Sequence, residues 1–150
     1  MSAQIRKIAV PTDFSDLSER AITYAASMAR GSGASLYLIH VLESKEHYDE
    51  ARARLTALAD RFTDGISRVT IEVRDGEPAD SIADAALHYG ADLVVIATHA
   101  RTGLAHLLSG SVAERLIRIA WCPVLVLRET GTVRVHRRAT EAAARMEGVA

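Results

Sequence analysis

Cysteine is all but missing from this chain: Cys122 stands alone among 150 residues. One cysteine cannot close an internal disulfide, and no thiolate cluster is available to hold zinc. Lysine is nearly as scarce, with only Lys7 and Lys45. Neither lies in a "GxxxxGK[ST]" loop, so the phosphate-binding lysine of that motif is excluded. No "GxSxG" elbow occurs, and no Ser-His-Asp set can be named. The net charge of −1 provides no general attraction to nucleic acid or anionic lipid. No apolar run is long enough to span a bilayer. The opening "MSAQIRKIAV" lacks the apolar core and small-residue cleavage site of a signal peptide. A cytoplasmic protein of one domain is expected, with no nucleic-acid and no membrane partner.

What the sequence does have is alternation. "IRKIAV" (5–10), "SLYLIHV" (35–41), "VTIEV" (69–73), "DLVVIA" (92–97) and "PVLVLR" (123–128) are short, apolar and rich in β-branched residues. Such runs fit strands covered by helices on both faces. Between them run helical periodicities: Leu17, Ala21, Tyr24, Ala25 and Met28 in the first, then Ala51, Leu55, Leu58 and Phe62. Ile82, Ala85, Ala86 and Tyr89 follow in the third, and Val112, Leu116, Ile119 and Ala120 in the fourth. "GSG" (31–33) and "DG" (64–65) read as stops, and Pro78 suits a first helical turn. This order predicts an α/β fold, a single doubly wound parallel sheet of five strands with helices on both faces. After Arg128 the pattern stops, so residues 129–150 are expected to form a tail, either mobile or packed on a partner.

Ligands of open α/β sheets bind beyond the carboxyl ends of the strands, where strand order reverses. Three segments should meet there: "PTDFS" (11–15), His40–Val41, and the connection from Ala97 to Gly110. With strand four ending near Ala97 and a helix starting near Ser111, about 13 residues lie between them, well beyond the usual 2–6. Gly110 permits close backbone approach, and Ser111 would offer unpaired N–H groups and a positive dipole end to an anion. "SVAE" is equally the spacing of a capping box between Ser111 and Glu114. Arg101 is a candidate phosphate partner or a solvated loop residue. Asp13 is a candidate pocket carboxylate or a turn-former. His99 and His106 have no third ligand at metal spacing, and Cys122 fits a small core residue better than a nucleophile. No catalytic residue and no metal site are assigned.

"IAVPTDFSDLSERAI", "LIHV", "GEPADSIADAA", "ADLVVIATHARTGLAHLLSGSVAERLIR" and "CPVLVLR" together resemble the universal stress protein family, within the adenine-nucleotide-binding α/β superfamily. The likeness runs in order to Arg128, giving a family domain over 1–128 and a tail over 129–150. It implies a Rossmann-like strand order 3-2-1-4-5 and a stress-response role. It also implies ATP, or AMP or ADP, as a regulatory ligand, with Mg reaching the site only through the nucleotide. The family's ATP-binding members carry G-x2-G-x9-G-[S/T]. Here Gly110 and Ser111 match, whereas Ala97 and Ala100 replace the first two glycines. The resemblance places adenosine near Pro11, Thr12, Asp13, Val41 and Ile96, and phosphates near Ala97, Ala100, Arg101, Gly103, Gly110, Ser111 and Val112. A left-handed backbone at either alanine would cost about 1–2 kcal/mol, and the expected consequence is weakened binding. It further implies a homodimer through strand 123–128 pairing with its copy.

Three functions compete at this level. The first is regulatory nucleotide binding, with at most slow ATP hydrolysis. The second is an interaction module that binds no nucleotide and acts through dimerisation with an unidentified protein partner, which the two alanines favour. The third is an adenylating enzyme, against which stands the absence of "HIGH"-like and "SGGxDS"-like signatures.

Overall fold

The computed structural model describes residues 4–98, 109–129 and 133–136. Strand β1 (Lys7–Pro11) leads to helix α1 (Asp16–Ser32), then β2 (Ser35–Leu42), a short 3-10 turn (Lys45–His47), α2 (Tyr48–Phe62) and β3 (Val69–Asp75). The second half runs α3 (Pro78–Tyr89), β4 (Leu93–Thr98), α4 (Ser109–Ile119), β5 (Val124–Arg128) and β6 (Val133–His136). The first five strands are parallel in the order β3-β2-β1-β4-β5, as the sequence pattern and the resemblance required.

Local chemistry fixes the helix ends. Ser15 caps α1 by accepting the Ser18 N–H, and Asp16 and Glu19 place negative charge in its first turn. Gly33 closes α1 at φ 75°, a left-handed setting that leaves its N–H on the Ala29 carbonyl. Glu77 accepts the Asp80 N–H at the start of α3, and Pro78 opens that helix as expected.

The sheet separates two apolar layers. Ile8, Val10, Leu36, Leu38, Leu93 and Val95 face α1 and α2, together with Ile22, Ala26 and Leu55. Ala9, Tyr37, Ile39, Val94 and Ile96 face α3 and α4, with Ile82, Leu116 and Ala120. Right-handed crossovers explain the division: winding from β1 to β3 puts both helices on one face, and reversing toward β5 puts the next two on the other. Leu55 and Leu116 have no exposed surface, and each burial contributes about 1.5–3 kcal/mol.

One expectation is corrected here. Tyr24 was placed on the core face of α1 but is exposed; the buried stripe is Leu17, Ser18, Ala21, Ile22, Ala25, Ala26 and Ala29. Small alanines on adjacent rows let α1 lie close to the sheet and rotate the face away from Tyr24. The outer edge of β5 is the one through which pairing with a second copy was expected. In this chain β6 runs antiparallel along it, with Leu127 opposite Val133 and Val124 opposite His136. Val133–His136 of the expected tail thus supplies a sixth strand. Its alternation of Val133 and Val135 with Arg134 and His136 suits a sheet edge.

Candidate ligand-binding site

The site lies where the winding reverses. β1 stays paired with β2 from Lys7 through Pro11, but with β4 only at Ile8 and Ala9. Beyond those pairs β1 and β4 part, opening the crevice in which α/β sheets receive ligands. Pro11 and Thr12 stand at its lip, both buried, and the Thr12 N–H donates to the Ile39 carbonyl at 2.8 Å.

The turn after β1 is heavily bonded. The Phe14 N–H donates to Thr12 Oγ1 at 3.0 Å, and Thr12 Oγ1 and Ser18 Oγ share a hydrogen bond of 2.8 Å. Ser15 donates to Asp13 Oδ1 through its backbone N–H at 2.9 Å and through its hydroxyl. Crowding in the turn pushes the Asp13 carboxyl upward, but the Ser15 hydroxyl and N–H, with Ser18 adding, outweigh it. Asp13 is therefore held below its ordinary value and is ionised at neutral pH. The turn-forming reading of Asp13 is met, with one oxygen capping the turn while the residue is exposed.

Val41 is half-buried and Ile96 buried, both on the α3/α4 side of the sheet. Ala97 continues β4 opposite Leu127, and its methyl packs into the layer under α1 and α2. Among the described residues Phe14 alone has a positive φ without being glycine, so Ala97 carries no left-handed strain. That removes half of the penalty foreseen for the two alanines. Ala100, Arg101, Gly103, His99 and His106 lie outside the described residues.

Helix α4 begins at Ser109, two residues before the expected start. Ser111 is thus inside the first turn and not its cap, which corrects the capping-box reading with Glu114. Its N–H remains among the first turn's donors without an intrahelical carbonyl, as do those of Ser109 and Gly110. Val112 is half-buried against the α3/α4 layer.

Cys122 packs half-buried against the same layer, and burial pushes its thiol up to about 11. It is protonated at neutral pH and is no nucleophile. Among the described residues no group of three or more His, Cys, Asp or Glu is placed to hold a metal ion, and no helix is long and apolar enough to cross a membrane. A groove of about 240 Å³ lined by Leu42, Lys45, Tyr48, Val73, Arg74 and Asp75 lies beyond β2 and β3. Lys45 and Asp75 pair across it at 3.1 Å.

Sequence reasoning brought "PTDFS" and His40 to this mouth but missed Arg54 and the contacts by which Phe14, His40 and Arg54 shape the turn. Phe14 has φ 66°, its ring lies 4.3 Å from that of His40, and the Arg54 guanidinium sits 4.1 Å over the ring. His40 Nδ1 meets the Thr12 carbonyl at 2.7 Å. Nothing in the motif announces a left-handed phenylalanine, since propensity argues against one. Arg54 comes from α2, with no local spacing to connect it to the turn.

The comparisons with known proteins agree with this geometry. The model of the universal stress protein family matches residues 4–128. A universal stress protein of Methanocaldococcus jannaschii is 34% identical over 143 residues, covering 83% of this chain and 82% of the relative. Universal stress protein G of Shigella flexneri is 34% identical over 142 residues, covering 82% of this chain and 99% of the relative. A universal stress protein solved in complex with cAMP superposes with TM-score 0.72 at 27% identity, covering 84% of this chain and 98% of its own. One from Archaeoglobus fulgidus in complex with dAMP gives 0.66 at 28% identity, covering 83% and 98%. With the family model spanning the sheet and both helix layers, and the crevice formed where the winding reverses, the chain belongs to the universal stress protein family.

Proposed function

We propose that this chain is a stress-response protein of the cytoplasm that binds an adenine nucleotide as a regulatory ligand at the mouth of β1, β2 and β4. The observation that carries the reading is the crevice itself. β1 and β4 separate after Ala9 and Val94, leaving buried Pro11 and Thr12 and ionised Asp13 on one wall and Ile96 on the other. Apolar Val41 and Ile96 suit a flat base, Asp13 suits ribose hydroxyls, and the first-turn N–H groups of α4 suit a phosphate. Two structural relatives holding cAMP and dAMP support an adenine monophosphate as the minimal ligand. ATP with Mg, or ADP, would place further phosphates toward the connection from Ala97 to Gly110, with Arg101 and Gly103 in reach of them. Without a lysine near that connection, any hydrolysis is slow and the nucleotide acts as a signal.

Calorimetric titration with AMP and with ATP–Mg tests this. The expected result is micromolar binding of AMP, with ATP–Mg tighter if the connection cradles the added phosphates. In the Ala97→Gly/Ala100→Gly protein, ATP–Mg affinity should rise by less than about 30-fold, because only Ala100 is left to carry a backbone penalty. No heat with either ligand and an unchanged Tm would sink the nucleotide reading. It would favour the interaction module, although β6 occupies the β5 edge through which that module would dimerise. Dimerisation through strand 123–128 would then require β6 to give up that edge.

A further inference from the structure

Phe14 occupies a backbone setting that disfavours every residue with a β-carbon, and bulky ones most. Such a setting persists only where surrounding contacts over-determine it, and it clusters where a ligand is received. Here the contacts are all visible. The ring meets His40 of β2, with centroids 4.3 Å apart, and lies 4.1 Å under the Arg54 guanidinium of α2. Its N–H is tied to Thr12 Oγ1. The Thr12 carbonyl accepts from His40 Nδ1, so that nitrogen carries the hydrogen and the imidazole is oriented by the same turn it supports.

Asp13 lies between these two anchors. Its peptide links to Thr12, which is bonded to β2 and to Ser18, and leads into Phe14, which is stacked on β2 and covered by α2. If the ring were released, the backbone at Phe14 would relax toward negative φ. The preceding peptide would rotate, and the Asp13 carboxylate would lose its aim and its bond to the Ser15 N–H.

We propose that the Arg54–Phe14–His40 stack is a positioning device, which holds the turn after β1 in the left-handed shape that presents Asp13 to the ligand. As to the ligand, it rests on the nucleotide reading above. Phe14, His40 and Arg54 are positioning residues: the stack lies on the α1/α2 side of the sheet, whereas Val41 and Ile96 lie on the other. The cation on the ring holds the stack from outside, and cation–π attraction supplies the reason for an arginine at this exposed helical position.

The experiment uses the full chain and three variants: Phe14→Gly, Arg54→Ala and Arg54→Lys. Glycine accepts the left-handed setting without a side chain, so Phe14→Gly removes the anchor while also removing the strain. Two readouts are taken. In nucleotide-free protein, amide exchange at Phe14 and Ser15 should quicken by about tenfold in Phe14→Gly and in Arg54→Ala, a change of about 1.4 kcal/mol in local opening. Exchange at Val95, in the core of β4, should not move. Arg54→Lys should restore most of the protection, because the cation over the ring is kept. In calorimetry, AMP should bind about tenfold more weakly to the same two variants, and near wild-type to Arg54→Lys.

Unchanged exchange at Phe14 and Ser15 would overturn the proposal, as would quickened exchange with AMP affinity within about twofold of wild type. A loss of Tm accompanied by equal quickening at Val95 would also overturn it, showing a packing role only. If wild-type protein binds no AMP, the nucleotide reading fails, and the exchange measurement alone decides whether the stack holds the turn.

Discussion

Asp13 shows how one carboxylate is held by the turn it helps to build. Its ordinary value is 3.8, and the bonds from Ser15, with Ser18 adding, hold it lower against the opposing effect of burial. A depressed acid stabilises the folded state above its unfolded pKa and ceases to do so as pH falls through the folded one. Asp13→Asn should therefore lower Tm at pH 7. The gap to wild type should narrow as pH drops below 3.8, measured by thermal unfolding at a series of pH values. A gap that stays constant down the acid limb would mean that the turn does not depend on the charge. Ala97 is a simpler case at the same scale. Its backbone belongs to β4 and its methyl is packed, so glycine there costs about 0.5–1 kcal/mol in stability and relieves nothing.

Elements are set by their ends as much as by their faces. Gly33 stands at φ 75° with open space around a would-be β-carbon. Gly33→Ala therefore meets no clash, and its cost is conformational alone, about 1–2 kcal/mol. Differential scanning calorimetry should find Tm lowered by about 2–4 °C for each of those kilocalories in a chain of this size. Helix α1 was legible in the sequence down to its glycine stop and through Leu17, Ala21 and Ala25 of its buried face, yet Tyr24 was misplaced, because periodicity marks apolar residues without saying which row the sheet contacts. Ile22 and Ala26 are buried with no surface exposed, whereas Tyr24 points outward. The start of α4 was read two residues late for a related reason: "SVAE" is a good cap, but "SGS" can continue a helix when the chain entering it arrives from the right direction.

The described residues form two apolar layers on one sheet, and the two sheet edges are protected in different ways. β3 ends one side with Thr70 and Glu72 alternating with apolar residues, which discourages edge association. On the other side β6 covers the apolar strand "VLVLR". Proline at both 134 and 135 (Arg134→Pro/Val135→Pro) removes two amides and disfavours this pairing whichever faces β5. The variant should expose the β5 edge and raise the dimer fraction relative to the intact chain, read as mass by sedimentation equilibrium. An unchanged mass at micromolar concentration would mean that β5 is not a surface through which copies join.

The sequence by itself determined the strand and helix count through β5, the parallel order, and the family, because each rests on local periodicity and on motifs contiguous in the chain. It also brought "PTDFS" and His40–Val41 to one mouth, since a parallel sheet gathers all strand carboxyl ends there, while the resemblance added Ile96 to the expected site. The tertiary structure alone decided the rest. It set Phe14 at a left-handed φ against its own propensity, because His40 from β2 and Arg54 from α2 converge on one ring. It laid Ala97 into β4 without strain and gave the β5 edge to β6. The Phe14 contacts depend on residues 26 and 40 positions apart meeting in space, farther than any one helix or strand of the chain reaches.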